Sequence, residues 1–227
     1  MFVDLIDALR CPRPHDPTWL VTAAHTTRAR CVVEGTLGCP VCRTTYPVAG
    51  GVARFGPPNA RAVPGGPPPS PDDEALRLAA LLGLTDAGGI VALGGAWDAA
   101  ADPLLALVAD ATGAGPAGHP DLRVLLIDPA SPYAPRPPVG AVTGAGLPVA
   151  AGALRGVALD AGTADAERLT GAVAALRPGG RLVAPADAPA PAGVRELARD
   201  ARHWVAERET GPASAGPVVP LRRAGRS

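Results

Sequence analysis

Two cysteines separated by two residues, Cys39-Pro40-Val41-Cys42, form a tight knuckle that can aim both sulfurs at one metal ion. Tetrahedral zinc takes thiolate ligands at about 2.3 Å, and this spacing supplies half of such a site. The other half is expected near the N-terminus, in Cys11-Pro12-Arg13-Pro14-His15. Cys11, Cys39 and Cys42 are candidate ligands, and His15, four residues after Cys11, is the favoured fourth. Cys31 is the softer rival and Asp16 a weaker oxygen alternative. Extended chain rises about 3.3 Å per residue, which puts Cys31 roughly 25 Å from Cys39 and argues against it. Four protein ligands close the coordination sphere, whereas catalytic zinc keeps a water position. The expected zinc is therefore a folding element. In a reducing compartment, cysteines grouped in this way read as metal ligands rather than disulfides.

The elements that must position these ligands are short. Phe2 to Leu9 carries a helical apolar stripe leading into Cys11. Trp19-Leu20-Val21 and Cys31-Val32-Val33 read as hairpin strands joined through His25-Thr26-Thr27-Arg28, and Val52 to Phe55 as a returning third strand. About 55 residues bury little apolar surface, so a metal would supply much of the stability of such a ribbon.

Residues 56–71 hold seven prolines and three glycines and read as a stiffened linker. Asp72 and Asp73 then open a helix that runs to Leu84, their charge suited to its N-terminal dipole. Strand-like runs follow at 90–93, 124–127, 156–159 and 181–184, with helix-like runs near 102–112, 163–176 and 192–202. Short apolar strands alternating with helices predict an α/β domain over 72–227, a parallel sheet with helices on both faces. Trp204 to Glu207 and Val218 to Leu221 suggest two last strands.

The charge balance is even, with 21 basic and 21 acidic residues, and the basic ones are all arginine. That removes the global footprint of an obligate nucleic-acid binder. A local patch would need Arg28, Arg30, Arg43 and Arg54 to converge, and Arg222, Arg223 and Arg226 add a weak C-terminal cluster. No apolar run is long enough to cross a bilayer and no leader is apparent, so no membrane partner is expected and the cytoplasm is the default location. His25, His119 and His203 read as ordinary surface or satisfied residues.

Two resemblances sharpen this reading. Leu5-Ile6-Asp7-Ala8-Leu9-Arg10-Cys11-Pro12, the knuckle at 39–42 and Tyr46-Pro47-Val48-Ala49-Gly50-Gly51-Val52 resemble the small zinc-ribbon proteins that activate tRNA, rRNA and protein methyltransferases. The chain departs from them in lacking the second cysteine of the first knuckle. Leu176-Arg177-Pro178-Gly179-Gly180-Arg181-Leu182-Val183, together with Gly146-Leu147-Pro148-Val149 before Gly156-Val157-Ala158-Leu159-Asp160, resembles the class I S-adenosylmethionine-dependent methyltransferase fold, a Rossmann-like architecture.

That second resemblance implies a cofactor site at Gly94, Gly95, Asp128 and Gly146. Its glycine-rich loop is reduced here to Ala92-Leu93-Gly94-Gly95-Ala96-Trp97-Asp98, which also reads as a plain strand-to-helix turn. Asp128 stands where an acidic residue meets ribose hydroxyls in nucleotide folds, or where it caps the next loop. Asp160 falls near the substrate side.

The leading expectation is a noncatalytic zinc-ribbon and methyltransferase-like fusion acting through contact with a protein partner, a methyltransferase or its complex. An internal form of the ribbon's pairing with a methyltransferase-like domain, across the linker, is part of that expectation. The alternatives are an active S-adenosylmethionine-dependent methyltransferase whose ribbon recognises substrate, and an RNA-binding ribbon protein.

Overall fold

The structure is a computed structural model and describes residues 1–58, 70–85, 88–112 and 121–210. Strands β1 (Val21–Arg28), β2 (Cys31–Gly38), β3 (Thr45–Ala49) and β4 (Val52–Arg54) form an antiparallel meander behind a single-turn helix, α1 (Val3–Ile6). Helix α2 (Pro71–Leu82), β5 (Gly89–Gly94), α3 (Ala101–Thr112), β6 (Leu122–Ile127), β7 (Val139–Thr143), β8 (Leu154–Ala158), α4 (Ala166–Ala175), β9 (Leu176–Pro185), β10 (Val194–Arg199) and β11 (His203–Arg208) follow. Among the described residues they form one mixed sheet in the order β1-β2-β3-β4-β7-β6-β5-β8-β9-β11-β10.

The front meander and the rest of the chain therefore share one sheet. β4 runs parallel to β7, with Val52, Ala53 and Arg54 beside Ala141, Val142 and Thr143. From β4 to β9 every neighbouring pair is parallel, and the ladder turns antiparallel again at β11 and β10.

Alternation along β5 sorts the two cores. Val91 and Leu93 face Leu78 and Leu82 of α2 and Leu104 and Val108 of α3. Ile90 and Ala92 face the opposite side, with Leu169 and Ala172 of α4. Helices thus cover both faces, as the alternating pattern predicts.

The covering has a gap that the front segment fills. Parallel strands are usually joined by helical crossovers, yet residues 128–138 and 144–153, on either side of β7, contain no helix. Met1, Phe2, Leu5 and Ile6 share a core with Leu125, Ile127 and Val142 instead. Gly140 makes room for them. A Cβ there would lie 2.8 Å from both Leu5 Cδ1 and Met1 Sδ.

Several expectations need correcting. The first helix shrinks to α1, and β1 extends through His25–Arg28, so the hairpin turns at Ala29 and Arg30, both with left-handed φ. β3 and β7 escaped the strand pattern, because Pro47 and Gly140 interrupt short runs. The run at 192–202 is not a helix. Helix-forming residues there are recruited as β10, which completes a hairpin with β11, and tertiary pairing outweighs propensity. The strand expected at Val218–Leu221 lies outside the described residues. Filling the Gly140 hole should separate α1 from the sheet: Gly140→Val is expected to cost about 1–3 kcal/mol by overpacking. Urea unfolding, with amide exchange followed over α1, measures it.

Candidate metal centre and the crevice behind it

Cys11, His15, Cys39 and Cys42 converge, their ligand atoms all within 4.8 Å of one another. Cys11 Sγ lies 3.6 Å from Cys42 Sγ, and Cys39 Sγ lies 3.4 Å from His15 Nε2. A tetrahedron with thiolate bonds of about 2.3 Å and an imidazole bond of about 2.0 Å has edges of roughly 3.5–3.8 Å. The donor set fits one tetrahedral ion, and none of the four cysteines is in a disulfide.

Local chain geometry builds this arrangement. In the knuckle, Cys39 N–H donates to the Thr44 carbonyl, and Arg43, at positive φ, returns its N–H to Cys39. Opposite it, Cys11 N–H donates to Thr18, which folds the His15 loop back over the thiols. His15 Nδ1 is 2.7 Å from the Asp16 carbonyl. An N–H there fixes the tautomer and leaves Nε2 as the free donor atom, the usual support for a metal-bound histidine. Asp16 thus serves through its backbone.

Two hydroxyls adjust the thiols. Tyr46 Oη is 3.1 Å from Cys11 Sγ, and the Thr44 hydroxyl is 3.3 Å from Cys42 Sγ. Hydrogen bonding with Thr44 holds the exposed Cys42 thiol down to about 6, whereas burial pushes Cys11 up. The hydrogen bond to Asp16 raises His15. Burial, reinforced by Cys11, raises the Tyr46 phenol, which therefore keeps a proton to donate. Nothing in the ligand spacing pointed to Thr44 or Tyr46 as support.

Cys31 is elsewhere. It begins β2, fully buried and bridged to Phe2, while Cys39 follows the other end of that strand. Burial pushes its thiol up. Arg28 is beside Cys31 and Arg43 beside the knuckle, so the two arginines stand at opposite ends of the β1–β2 hairpin. Arg30 pairs with Asp4 at 2.7 Å.

The residues tied to a cofactor by resemblance lie at the carboxyl ends of the central strands, each already engaged. Gly94 faces Thr163 and Leu159, where a Cβ would come within 2.6 Å of Thr163 Oγ1 and 2.8 Å of Leu159 Cδ2. Gly95 turns at positive φ directly beneath the Asp160 carboxylate. That carboxylate accepts Ala96 N–H at 2.9 Å and the Thr163 hydroxyl at 2.7 Å. Trp97 is buried, its ring 5.2 Å from that of His203. His203 is half-buried, with Nδ1 3.2 Å from Arg77 Nη2 rather than facing solvent.

Asp128 does not present its carboxylate to a ribose. It is buried and ion-paired with Arg168 of α4, and it accepts Gly144 N–H at 3.1 Å. Arg168 also donates to the Gly144 carbonyl at 2.6 Å and reaches that of Gly146 at 3.4 Å. Gly146 itself adjoins Glu167. One arginine, unremarked in the sequence pattern, thus ties α4 to the loops after β6 and β7. The two groups that the resemblance assigns to a ribose and to a charged end, the Asp128 carboxylate and the Gly95–Ala96 turn, are both engaged by the chain's own side chains, beside a cleft of about 170 Å³ lined by Ala96, Trp97, Asp160 and His203.

No family model matches this chain, and no curated protein resembles it in sequence beyond chance. Among the described residues, no helix is long and apolar enough to cross a membrane.

The metal ligands and the ion pair can be tested separately. Cys39→Ala and His15→Ala are expected to lose the bound ion, measured as metal per chain by plasma mass spectrometry, whereas Cys31→Ala keeps it. Arg168→Met strands a buried carboxylate, and calorimetric unfolding should show a loss of about 3–5 kcal/mol.

Proposed function

We propose that this chain is a zinc-stapled, methyltransferase-like α/β protein that has no chemistry of its own and acts by contact with another protein. The observation that carries this reading is that the crevice's polar groups are engaged by the chain itself: Asp160 accepts from the Gly95–Ala96 turn and Arg168 pairs with Asp128. In open α/β sheets, ligands bind outside the carboxyl ends of the strands, where the order reverses. Here the polar groups of that place are engaged from within, and the cleft left beside Ala96, Trp97 and Asp160 holds only about 170 Å³, below the few hundred Å³ of ordinary ligand sites.

Zinc is the ion that best suits the donors, because three cysteines and one histidine form a closed, soft, tetrahedral set. With all four positions supplied by protein, the ion holds the front segment together and activates no water.

The methyltransferase-like part of the reading is supported by topology. Counted from β5, the sheet runs 3-2-1-4-5 and closes with an antiparallel hairpin. The first five positions match the doubly wound nucleotide folds, and a closing hairpin is what the resemblance implies. The front segment resembles ribbon proteins that cover a methyltransferase partner. In this chain β4 pairs with β7, and Met1 and Leu5 pack over Gly140, which favours an internal form of that pairing. A methyltransferase, or a complex that contains one, remains the proposed class of partner.

Titration calorimetry with S-adenosylmethionine tests the absence of chemistry. No heat of binding is expected up to about 1 mM ligand, the weak end of ordinary affinities. Micromolar binding would overturn the reading in favour of an active methyltransferase.

A further inference from the structure

We propose that Cys42 is a reversible oxidation site, at which a hydroperoxide drives a Cys11–Cys42 disulfide and expels the bound zinc. The proposal rests on the reading that the cluster holds zinc, and it gives the same staple a second, covalent state.

Exposure singles out the sulfur that is attacked. All four cysteines lie among the described residues, and Cys42 alone is exposed while Cys11, Cys31 and Cys39 are buried. A metal-bound cysteine is already a thiolate, the nucleophilic form of the group. Cys42 therefore meets small oxidants from solvent, whereas Cys39, only 3% exposed, does not.

Distance and chain connection name its partner. Cys11 Sγ is 3.6 Å from Cys42 Sγ, and a disulfide draws two sulfurs to about 2.05 Å. Cys11 has room to make that approach, since residues 12–14, 16 and 17 of its loop are exposed. Cys39 is less free to move relative to Cys42. Its N–H donates to the Thr44 carbonyl and its carbonyl accepts Arg43 N–H, two bonds that close the knuckle around Cys42. Pulling the two knuckle sulfurs together works against that turn. Cys31, fully buried at the start of β2, is at the far end of the strand.

The electrons balance over two steps. The Cys42 thiolate attacks one peroxide oxygen, the O–O bond breaks, and the departing hydroxide takes a proton from solvent. The sulfur has lost two electrons and stands as a sulfenic acid. The Cys11 thiolate then attacks that sulfur, so S–S forms, S–O breaks, and a second hydroxide leaves and is protonated. Two thiolates, one hydrogen peroxide and two protons give one disulfide and two waters. Zinc is left with His15 and Cys39, half of a closed coordination sphere, and departs.

The new bond joins the segments that the ion joined. Cys11 follows α1, and Cys42 lies in the turn between β2 and β3. Oxidation therefore removes the metal and keeps the link between the two loops. Stripping zinc from the reduced chain removes both.

The test uses the full, zinc-loaded chain, with zinc per chain measured before excess hydrogen peroxide is added. A chromogenic chelator is expected to report about one zinc released per chain. Peptide mass spectrometry is expected to find a Cys11–Cys42 disulfide, with Cys31 still a free thiol. Amides of α1 should exchange about tenfold more slowly in the oxidised chain than in reduced chain stripped of zinc. Cys31→Ala should match the parent chain in each readout, and dithiothreitol followed by zinc should restore the starting state. The proposal is overturned by zinc held through the peroxide treatment, by a Cys39–Cys42 bridge or by Cys42 oxidised without a disulfide. It is equally overturned by α1 amides that exchange as fast as in the stripped chain. A chain that carries no zinc at the outset overturns the zinc reading, while the disulfide map still decides this one.

Discussion

The convergence of Cys11 and His15 on Cys39 and Cys42 is the constraint from which the front of the molecule follows. These residues belong to two loops far apart in the chain, and β1 between them is exposed along its whole length, so only β2 of that hairpin contributes to the core. One ion held by all four would cross-link the loops and fix where α1 ends and where the meander begins. That placement puts Met1 and Leu5 over Gly140 and β4 against β7. A small ribbon of this kind draws its stability from metal coordination and from the sheet it joins, because its own core is too slight.

A second constraint lies deeper. Where a nucleotide fold would present empty backbone donors and a free carboxylate, this chain offers Asp160 and Arg168 to its own loops. Buried charges are tolerated when paired and hydrogen-bonded, and the Arg168–Asp128 pair meets both conditions through Gly144. The pair fastens α4 to the ends of β6 and β7, a region without crossover helices. What would be a mobile, ligand-ordered corner becomes a rigid internal joint.

Much of the architecture was legible from pattern. The knuckle spacing and the nearby histidine named the four residues that converge, because tetrahedral coordination demands few residues at short separations. Strands β5, β6, β8 and β9 were legible as buried apolar runs, and α2, α3 and α4 as amphipathic stretches between them. β7 was not, since Val139-Gly140-Ala141-Val142 is small by necessity: α1 lies against it. β10 was misread as a helix, because Val194 to Arg199 has no strong strand propensity and is held by β11.

The sequence by itself determined the Cys/His cluster and the alternation of helix and strand, for these rest on local spacing and hydrophobic period. Only the tertiary structure decided that Asp128 faces Arg168 rather than solvent, that Asp160 lies on Gly95, and that the front meander continues the main sheet. Each of those outcomes joins residues far apart in the chain, through charge, close approach or strand pairing. No local pattern records which distant partner will be nearest once the core has closed.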